Sequence, residues 1–332
     1  MLKIIDFSEN HIEQAVSIAK KNYQNEHKCV KILPKTTEIP DFLPLIKNGL
    51  GVTAFDGKEI VGYLCCFGPW ENAFGTTNAK GIWSPLHGNG LIECNQNNVF
   101  AKMYQEAAEK WVNMGVTSHS ITFYAHNTII QNQLYRYGFG LRCIDAIRSM
   151  EEIETKDIKK IKFSELEHGE FQLIYPLGIL LSNHLWESPM FLRYKEKNEE
   201  EKDGDPNKFA EWQIKEKKRY FVAKDNNKVI AYIKLTDDGE NYICEADNIK
   251  NICGTYCLTE YRGKGIMQNL LNYTIKTLQN ENILLLGVDF ESYNPTANGF
   301  WLKHFMEYTY SVVRRIDERY INKSKNTASN KR

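Results

Sequence analysis

The segment YRGKGIMQNLL, residues 261–271, determines how the second half of the chain is interpreted. Its two glycines alternate with two basic residues directly ahead of an apolar pattern with helical spacing. The residues of that predicted helix face are Met267, Leu270, Leu271, Thr274, Ile275 and Leu278. A glycine turn that opens a helix directs several free backbone N–H groups and the positive end of the helix dipole at one point. The segment therefore predicts a site for a phosphate group.

Length and composition narrow the class of protein. The 332 residues are enough for two ordinary domains, and 42% hydrophobic residues are typical of a packed globular protein. The 42 basic and 42 acidic residues cancel, so no overall charge attracts nucleic acid or an acidic membrane surface. No signal-peptide pattern and no run of about 18 apolar residues is present. We expect a cytoplasmic protein with neither a nucleic-acid nor a membrane partner.

The eight cysteines fall mostly in apolar, strand-like runs. They show no CxxC spacing, and no histidine lies at metal-ligand spacing from them. Reduced, buried cysteines are expected, with no metal site.

The two halves of the chain show the same order of predicted elements. A strand–turn–strand hairpin around Asp56–Gly57 is repeated around 225–227, where Val229 corresponds to Ile60. Each hairpin precedes a glycine turn, an apolar-faced helix, a strand and a short helix. Asn127 and Asn294 open the two short helices, and their separation along the chain nearly equals that of Ile60 and Val229. These two near-equal offsets predict a duplicated α/β unit.

With both patterns in place, the second half resembles a GCN5-related N-acetyltransferase (GNAT) domain. The family's R/Q-x-x-G-x-G/A pattern falls on residues 262–267, with Met267 at the last position. The N-x-x-A-x-x-F-Y-x-K pattern falls on 294–303, with Trp301 in place of tyrosine. The resemblance is clear over residues 218–316 and rests on element order alone over 1–150.

The resemblance implies an α/β (α+β) fold of two tandem units, each a mixed, mostly antiparallel sheet flanked by helices. We place a degenerate GNAT-like domain at 1–150, an acyl-CoA-binding domain at 151–320 and a disordered tail at 321–332. Acetyl-CoA, or another acyl-CoA, is the implied cofactor. Its implied ligands are Cys257, Leu258 and Thr259 for the pantetheine, Arg262, Gly263, Lys264, Gly265, Ile266, Met267 and Gln268 for the pyrophosphate, and Asn294, Trp301 and Lys303 from the second pattern.

Acetyl transfer to an amine requires a base for the nucleophile and a proton donor for the departing thiolate. Glu291 is our first choice of base and Glu260 the second. Because an indole N–H is not a usable acid, Trp301 cannot replace the family's tyrosine. Either Tyr293 or Tyr256 replaces it, or the thiolate leaves unassisted.

The acceptor is expected to contact the helical region that contains His184, Trp186 and Glu187. In the first half, the corresponding glycine segment 87–91 reads HGNGL, with Pro85 where the arginine would fall and no basic residue in the loop. The stretch from Gly88 to Asn127 is also longer than the stretch from Gly265 to Asn294, and the insertion separates the glycines from the helix start. We therefore expect only the second half to bind the cofactor, although the survival of Gly88 and Gly90 leaves activity in both halves as an alternative.

The predicted function is transfer of an acetyl group from acetyl-CoA to a small-molecule or peptide amine by direct attack. Two alternatives stay open. One is a transferase that uses a longer acyl-CoA or a hydroxyl acceptor. The other is an acyl-CoA-binding regulatory module without turnover. The sequence does not identify the acceptor or the oligomeric state.

Overall fold

The computed structural model describes residues 1–35, 37–75, 77–92, 96–193 and 204–320. The chain forms two compact units, Met1–Asp145 with Glu307–Arg332, and Ala146–Met306. The final strand, Met306–Arg315, thus has all but its first residue in the first unit, whereas the sequence analysis placed it in the second domain. The expected tail at 321–332 lies outside the described residues.

The first unit contains nine strands and four helices among its described residues, counting strand β8, whose last residues enter the second unit. The strands are β1 (Leu2–Asp6), β2 (Val52–Asp56), β3 (Glu59–Leu64), β4 (Phe67–Trp70), β5 (Gly81–Ser84), β6 (Asn89–Leu91), β7 (Ser118–Tyr124), β8 (Gly140–Ser149) and β14 (Met306–Arg315). The helices are α1 (Ile12–Cys29), α2 (Leu43–Ile46), α3 (Gln96–Asn113) and α4 (Thr128–Arg136).

Strands β1, β2, β3 and β6 form an antiparallel sheet in that order. In a second group, β5 pairs in parallel with β7, and β7 pairs antiparallel with β14. Helix α3 packs on the sheet of β1, β2, β3 and β6 through the apolar face that its spacing predicts. The five side chains of that face are at most 2% exposed. They are Phe100, Met103, Tyr104, Ala107 and Trp111.

The segment HGNGL is not the glycine turn that the sequence analysis expected. Leu86–Gly88 is a 3₁₀ turn, and Asn89–Leu91 is strand β6, paired with β3 through Tyr63↔Gly90. A Cβ added at Gly90 would lie 2.8 Å from the Tyr63 ring. Glycine is required here for close packing between two strands, because any side chain would displace a buried tyrosine.

The second unit places its helices around a mostly antiparallel sheet. Its further strands are β9 (Ile161–Glu165), β10 (Arg219–Asp225), β11 (Lys228–Thr236), β12 (Ile249–Cys257) and β13 (Leu285–Glu291). Its helices are α5 (Tyr175–Trp186), α6 (Pro206–Lys215), α7 (Ile266–Asn280) and α8 (Pro295–Trp301). Strands β9 to β12 are antiparallel neighbours in sequence order, and the predicted hairpin is formed by β10 and β11.

Strands β12 and β13 are parallel, and their pairing runs from Ile249↔Leu285 to Ile252↔Val288. Beyond Ile252, strand β12 continues to Cys257 on the β11 side alone. Helix α7 begins directly after the glycine turn and buries Leu270, Leu271, Thr274, Ile275 and Leu278 as predicted. Ile266 takes the buried place expected of Met267, which is only partly buried. The glycine turn, the open part of β12 and the end of β13 therefore lie in one unit.

Candidate functional site

A cavity of about 530 Å³ lies between the glycine turn, the end of β12 and helix α8. Its lining includes most of the residues that the sequence analysis assigned to the cofactor. They are Cys257, Arg262, Gly263, Gly265, Ile266, Met267, Gln268, Asn294, Trp301 and Lys303. We call this space the donor cavity.

The glycine turn has a backbone conformation that requires its glycines. Gly263 has φ +72° and Gly265 has φ +78°, both in the left-handed region. The Asn269 amide donates the first hydrogen bond of α7, to the carbonyl of Gly265. The amides of Ile266, Met267 and Gln268 therefore precede the helical hydrogen-bond ladder, and these three residues line the donor cavity. This is the arrangement that binds phosphate groups.

The two basic residues of the turn differ in their contacts. Arg262 Nε donates a hydrogen bond of 3.0 Å to the Cys257 carbonyl, and its guanidinium lies 5.2 Å from the centre of the Tyr256 ring. Arg262 thus joins the turn to the end of β12. The ammonium of Lys264 lies 5.5 Å from the Tyr261 ring centre, and Lys264 is not among the residues that line the donor cavity.

Strand β12 presents backbone groups to the donor cavity. The Leu258 amide donates to the Ile230 carbonyl, so Leu258 faces β11, and antiparallel pairing alternates along the strand. Tyr256 then faces β11 as well, whereas the N–H and C=O groups of Thr255 and Cys257 face the other way.

Leu258 and Thr259 do not have the placement that the sequence analysis gave them. The strand ends at Cys257, and Thr259 begins a 3₁₀ turn, Thr259–Tyr261. Of the three residues expected to pair with the pantetheine, only Cys257 therefore belongs to β12. Among the described residues, those of β12 that line the donor cavity are Thr255, Tyr256 and Cys257.

Asn294 and Trp301 line the donor cavity from helix α8 and the residue before it. Asn294 caps helix α8, since its side-chain oxygen accepts hydrogen bonds from the amides of Thr296 and Ala297 at 3.2 and 3.3 Å. Trp301 is buried, with edge-to-face contacts to Phe300 and Phe305. His184 Nε2 lies 3.3 Å from the hydroxyl of Thr296, and His184 also lines this cavity.

A second cavity of about 650 Å³ adjoins the first. It is lined by α5, α6, the part of β12 near Cys253 and the end of β13, and we call it the acceptor cavity. Five residues line both cavities: Leu181, Thr255, Asn294, Ala297 and Trp301. A ligand atom bound beside these five residues would be accessible from both cavities.

The expected catalytic and substrate residues are divided between the two cavities. Asp289 and Glu291 lie two positions apart on β13, and both line the acceptor cavity. Trp186 lines it as well. His184 and Tyr256 line the donor cavity. Among the described residues, Tyr293, Glu187 and Glu260 line neither cavity. Glu260 instead lies 4.0 Å from Lys228 in an exposed ion pair.

Several lining residues were missed in the sequence analysis. Thr255 shortly precedes the expected cofactor residues, and the alternation of strand β12 could have indicated it. Tyr175, Phe209 and Trp212 on α5 and α6 also line the acceptor cavity. They belong to no motif, since an aromatic residue on a helix is more often part of a core.

The pKa values of Cys257 and His304, which both line the donor cavity, are shifted. Burial raises the pKa of the Cys257 thiol to about 11, so this cysteine in the donor cavity is a poor nucleophile at neutral pH. Burial, with Arg148 and Lys303 nearby, lowers the pKa of His304.

No described helix has the length and apolar character needed to cross a membrane.

Comparison with known proteins is consistent with this geometry. Residues 181–305 match the family model described as acetyltransferase (GNAT) family. The matched region begins in α5 and ends after α8, so it contains the glycine turn and most residues of both cavities. A comparison with curated protein sequences finds no match.

Two solved structures share the fold. A GCN5-related N-acetyltransferase from Sphaerobacter thermophilus is 9% identical, with a TM-score of 0.56 over 95% of each chain. The second is a GCN5-related glucosamine N-acetyltransferase region of a fungal multi-domain GH3 beta-N-acetylglucosaminidase. It is 13% identical, with a TM-score of 0.52 over 94% of this chain and 38% of that one.

Residues 181–305 of the second unit thus form a domain of the acetyltransferase (GNAT) family. The coverage of the Sphaerobacter structure extends the likeness in fold to the first unit. The predicted α/β fold of two tandem GNAT-like units is confirmed.

Proposed function

We propose that the second unit transfers an acetyl group from acetyl-CoA to an amine. The observation that carries this proposal is the meeting of two cavities around Thr255, Asn294 and Trp301. One is lined by the glycine turn, where we expect a phosphate group to bind, and the other by the carboxylates of Asp289, Glu291 and Glu240. GNAT family membership of residues 181–305 supports the same activity.

The donor cavity fits the parts of acetyl-CoA. Amides of Ile266, Met267 and Gln268 would bind the pyrophosphate, because they have no acceptor within the helix and lie at its positive end. Hydrogen bonds to a charged group contribute about 1.5–3 kcal/mol each. The outward backbone groups of Thr255 and Cys257 would pair with the pantetheine amides, as in an added strand.

Acetyl-CoA supplies the acetyl group as a thioester. On the acceptor side, Glu291 would take the proton of the attacking amine, directly or through water, while the new N–C bond forms and the C–S bond breaks. Tyr256 would return a proton to the departing sulfur, since Tyr293 lines neither cavity. We place Asp289 as a second carboxylate that holds the ammonium form of the acceptor.

The regulatory alternative remains a second candidate because of Trp301. An indole stands where the family pattern has tyrosine, and it lines both cavities. A module that binds acyl-CoA without turnover requires no acid there. Both candidates predict acetyl-CoA binding, but only the transferase releases free thiol when amines are added.

Binding and turnover are tested separately. Acetyl-CoA binding is measured by calorimetry on the full chain and on Gly265→Glu, whose carboxylate would oppose the pyrophosphate. The proposal expects binding in the first and loss in the second, with Gly169→Glu on the exposed 3₁₀ turn as the matched control. Unchanged binding in Gly265→Glu would remove the basis for the phosphate site. Free-thiol release over a panel of amines then separates enzyme from regulatory module.

A further inference from the structure

The acceptor cavity has a wall of large aromatic side chains. These are Tyr175 and Trp186 on α5, Phe209 and Trp212 on α6, and Phe290 and Trp301 from the β13 side. Tyr175 and Phe209 meet edge to face, with ring centres 5.6 Å apart. Trp186 on this wall is 46% exposed, and Ile179 beside it on α5 is 45% exposed, whereas Phe290 and Trp301 are buried, so the exposed apolar surface of the cavity is on the helix side. Exposed apolar surface beside a cavity is typical of a ligand-binding site.

Among the described residues that line the same cavity, carboxylates outnumber cationic groups by three to two. Carboxylates come from Asp289, Glu291 and Glu240, and cationic groups from Lys234 and Arg193. The guanidinium of Arg193 lies 3.9 Å from the centre of the Trp186 ring, in a stacking contact on the helix side of the cavity. Glu291 shortly precedes Asn294, which lines both cavities. Glu291 is therefore the carboxylate of this cavity nearest in sequence to the shared boundary, where we expect the amine to react.

We propose that the acceptor is a primary amine attached to a large aromatic or polycyclic apolar group, with no carboxylate beside the amine. This inference rests on the proposed function and specifies its substrate class. A cavity of 650 Å³ is within the range of about 300–1,000 Å³ that small-molecule sites occupy. Small, strongly hydrated amines would leave the aromatic wall uncovered, and an anionic group would be repelled by Asp289 and Glu291.

Gly178 gives a direct way to test whether this space holds the acceptor. It lies on α5 and lines the acceptor cavity, and no atom of the described residues lies within 4 Å of a Cβ added there. Gly178→Leu therefore adds a branched side chain to the lining of this cavity. Gly169 also has no described atom within 4 Å of an added Cβ, but it is exposed and is not among the residues that line either cavity. Gly169→Leu is the matched control.

The experiment measures calorimetric binding of tryptamine, tryptophan, glucosamine and spermidine to the full chain saturated with CoA. Thiol release from acetyl-CoA is recorded for the same four amines. Tryptamine is expected to bind at least about tenfold more tightly than the other three, because only it covers the aromatic wall without bringing an anion. Gly178→Leu is expected to weaken tryptamine binding by about tenfold or more, whereas Gly169→Leu leaves it unchanged. Gly178→Ala provides a milder second variant, and circular dichroism melting confirms that each variant folds.

The possible results separate this inference from the proposed function. Equal or tighter binding of glucosamine, spermidine or tryptophan would overturn the substrate class. So would a folded Gly178→Leu protein that binds tryptamine normally. If octanoyl-CoA binds more tightly than acetyl-CoA and loses that advantage in Gly178→Leu, the cavity holds an acyl chain and the inference is wrong. Tryptamine binding without thiol release would support the ligand class and contradict the transferase, and turnover of polar amines alone would do the reverse.

Discussion

Substitutions at Gly265 can separate two properties of the glycine turn. One is its contribution to folding stability, and the other is its proposed contribution to acetyl-CoA binding. Its φ of +78° is left-handed, and a Cβ there would lie 3.8 Å from Asn269 and 3.9 Å from Ile158, which are ordinary contact distances. Alanine at this position therefore has no steric conflict inside the protein. Its whole cost is conformational, about 1–2 kcal/mol for an L-residue in the left-handed region. The reduced entropy of the unfolded chain offsets about 0.4–1 kcal/mol of this.

We expect Gly265→Ala to lower the free energy of unfolding by about 1 kcal/mol, or roughly 2–4 °C in Tm for a domain of about 150–250 residues. Gly265→Asn should cost less, because asparagine adopts the left-handed conformation more readily. Both variants should weaken acetyl-CoA binding by about tenfold or more, since Gly265 lines the donor cavity and glycine there allows the close backbone approach that the proposed pyrophosphate site requires.

Thermal unfolding and calorimetric titration with acetyl-CoA give the two quantities on the same samples. Gly169→Ala, on the exposed 3₁₀ turn, should stay within about 0.5 kcal/mol of the parent chain. Equal Tm values for the alanine and asparagine variants would refute the conformational argument. Normal acetyl-CoA binding in a folded Gly265→Asn protein would refute the requirement for close approach.

Three other predictions concern other parts of the chain. Arg219 Nε and Nη2 donate to Glu165 at 2.7 and 2.9 Å, and Nη1 and Nη2 donate to Glu281 at 2.7 Å, so Arg219→Met should lower the free energy of unfolding in urea by about 1–3 kcal/mol. Burial lowers the pKa of His119 from 6.5 to about 3, so its neutral form is favoured in the folded state; stability should be full above pH 6.5 and fall as the pH drops below it, and His119→Gln should reduce this slope in urea unfolding measured from pH 7 to 5. Glu291→Gln should lower kcat/KM for thiol release by about 10²–10⁴ with acetyl-CoA binding unchanged, and a smaller loss than in Asp289→Asn would assign the base to Asp289.

Much of the fold was predictable from two sequence patterns, the apolar periodicity of the strands and helices and the glycine turn ahead of α7. The hairpins, helix α3 and helix α7 follow from apolar periodicity, and the buried side chains lie on the predicted faces. The glycine turn was recognisable because a helix with a strong apolar face follows it at once. The HGNGL segment has a similar glycine spacing, but Gly90 lies in strand β6 and packs against Tyr63 of β3. This role could not be predicted without knowing which strand pairs with β6.

Other features depend on contacts that no local pattern encodes. Strand β14 has an ordinary strand sequence, and its pairing with β7, through Val312↔Ile121 among others, places it in the first unit. The wall of the acceptor cavity comes from α5 and α6, where Tyr175 and Trp212 look like core aromatics until the cavity beside them is seen. The carboxylate pair was predictable, because Asp289 and Glu291 alternate on a strand and so share a face.

A single feature of the sheet accounts for both cavities. The parallel pairing of β12 and β13 runs to Ile252↔Val288, and both strands continue past this point. The continuation of β12 leaves the backbone groups of Thr255 and Cys257 facing the donor cavity, and the continuation of β13 carries Asp289 and Glu291 into the acceptor cavity. The proposed acyl-CoA contact depends on strand geometry rather than on side chains, whereas the proposed acceptor contact depends on the side chains of α5 and α6. We therefore predict that substitutions on α5 and α6 change the amine preference and leave the donor preference intact.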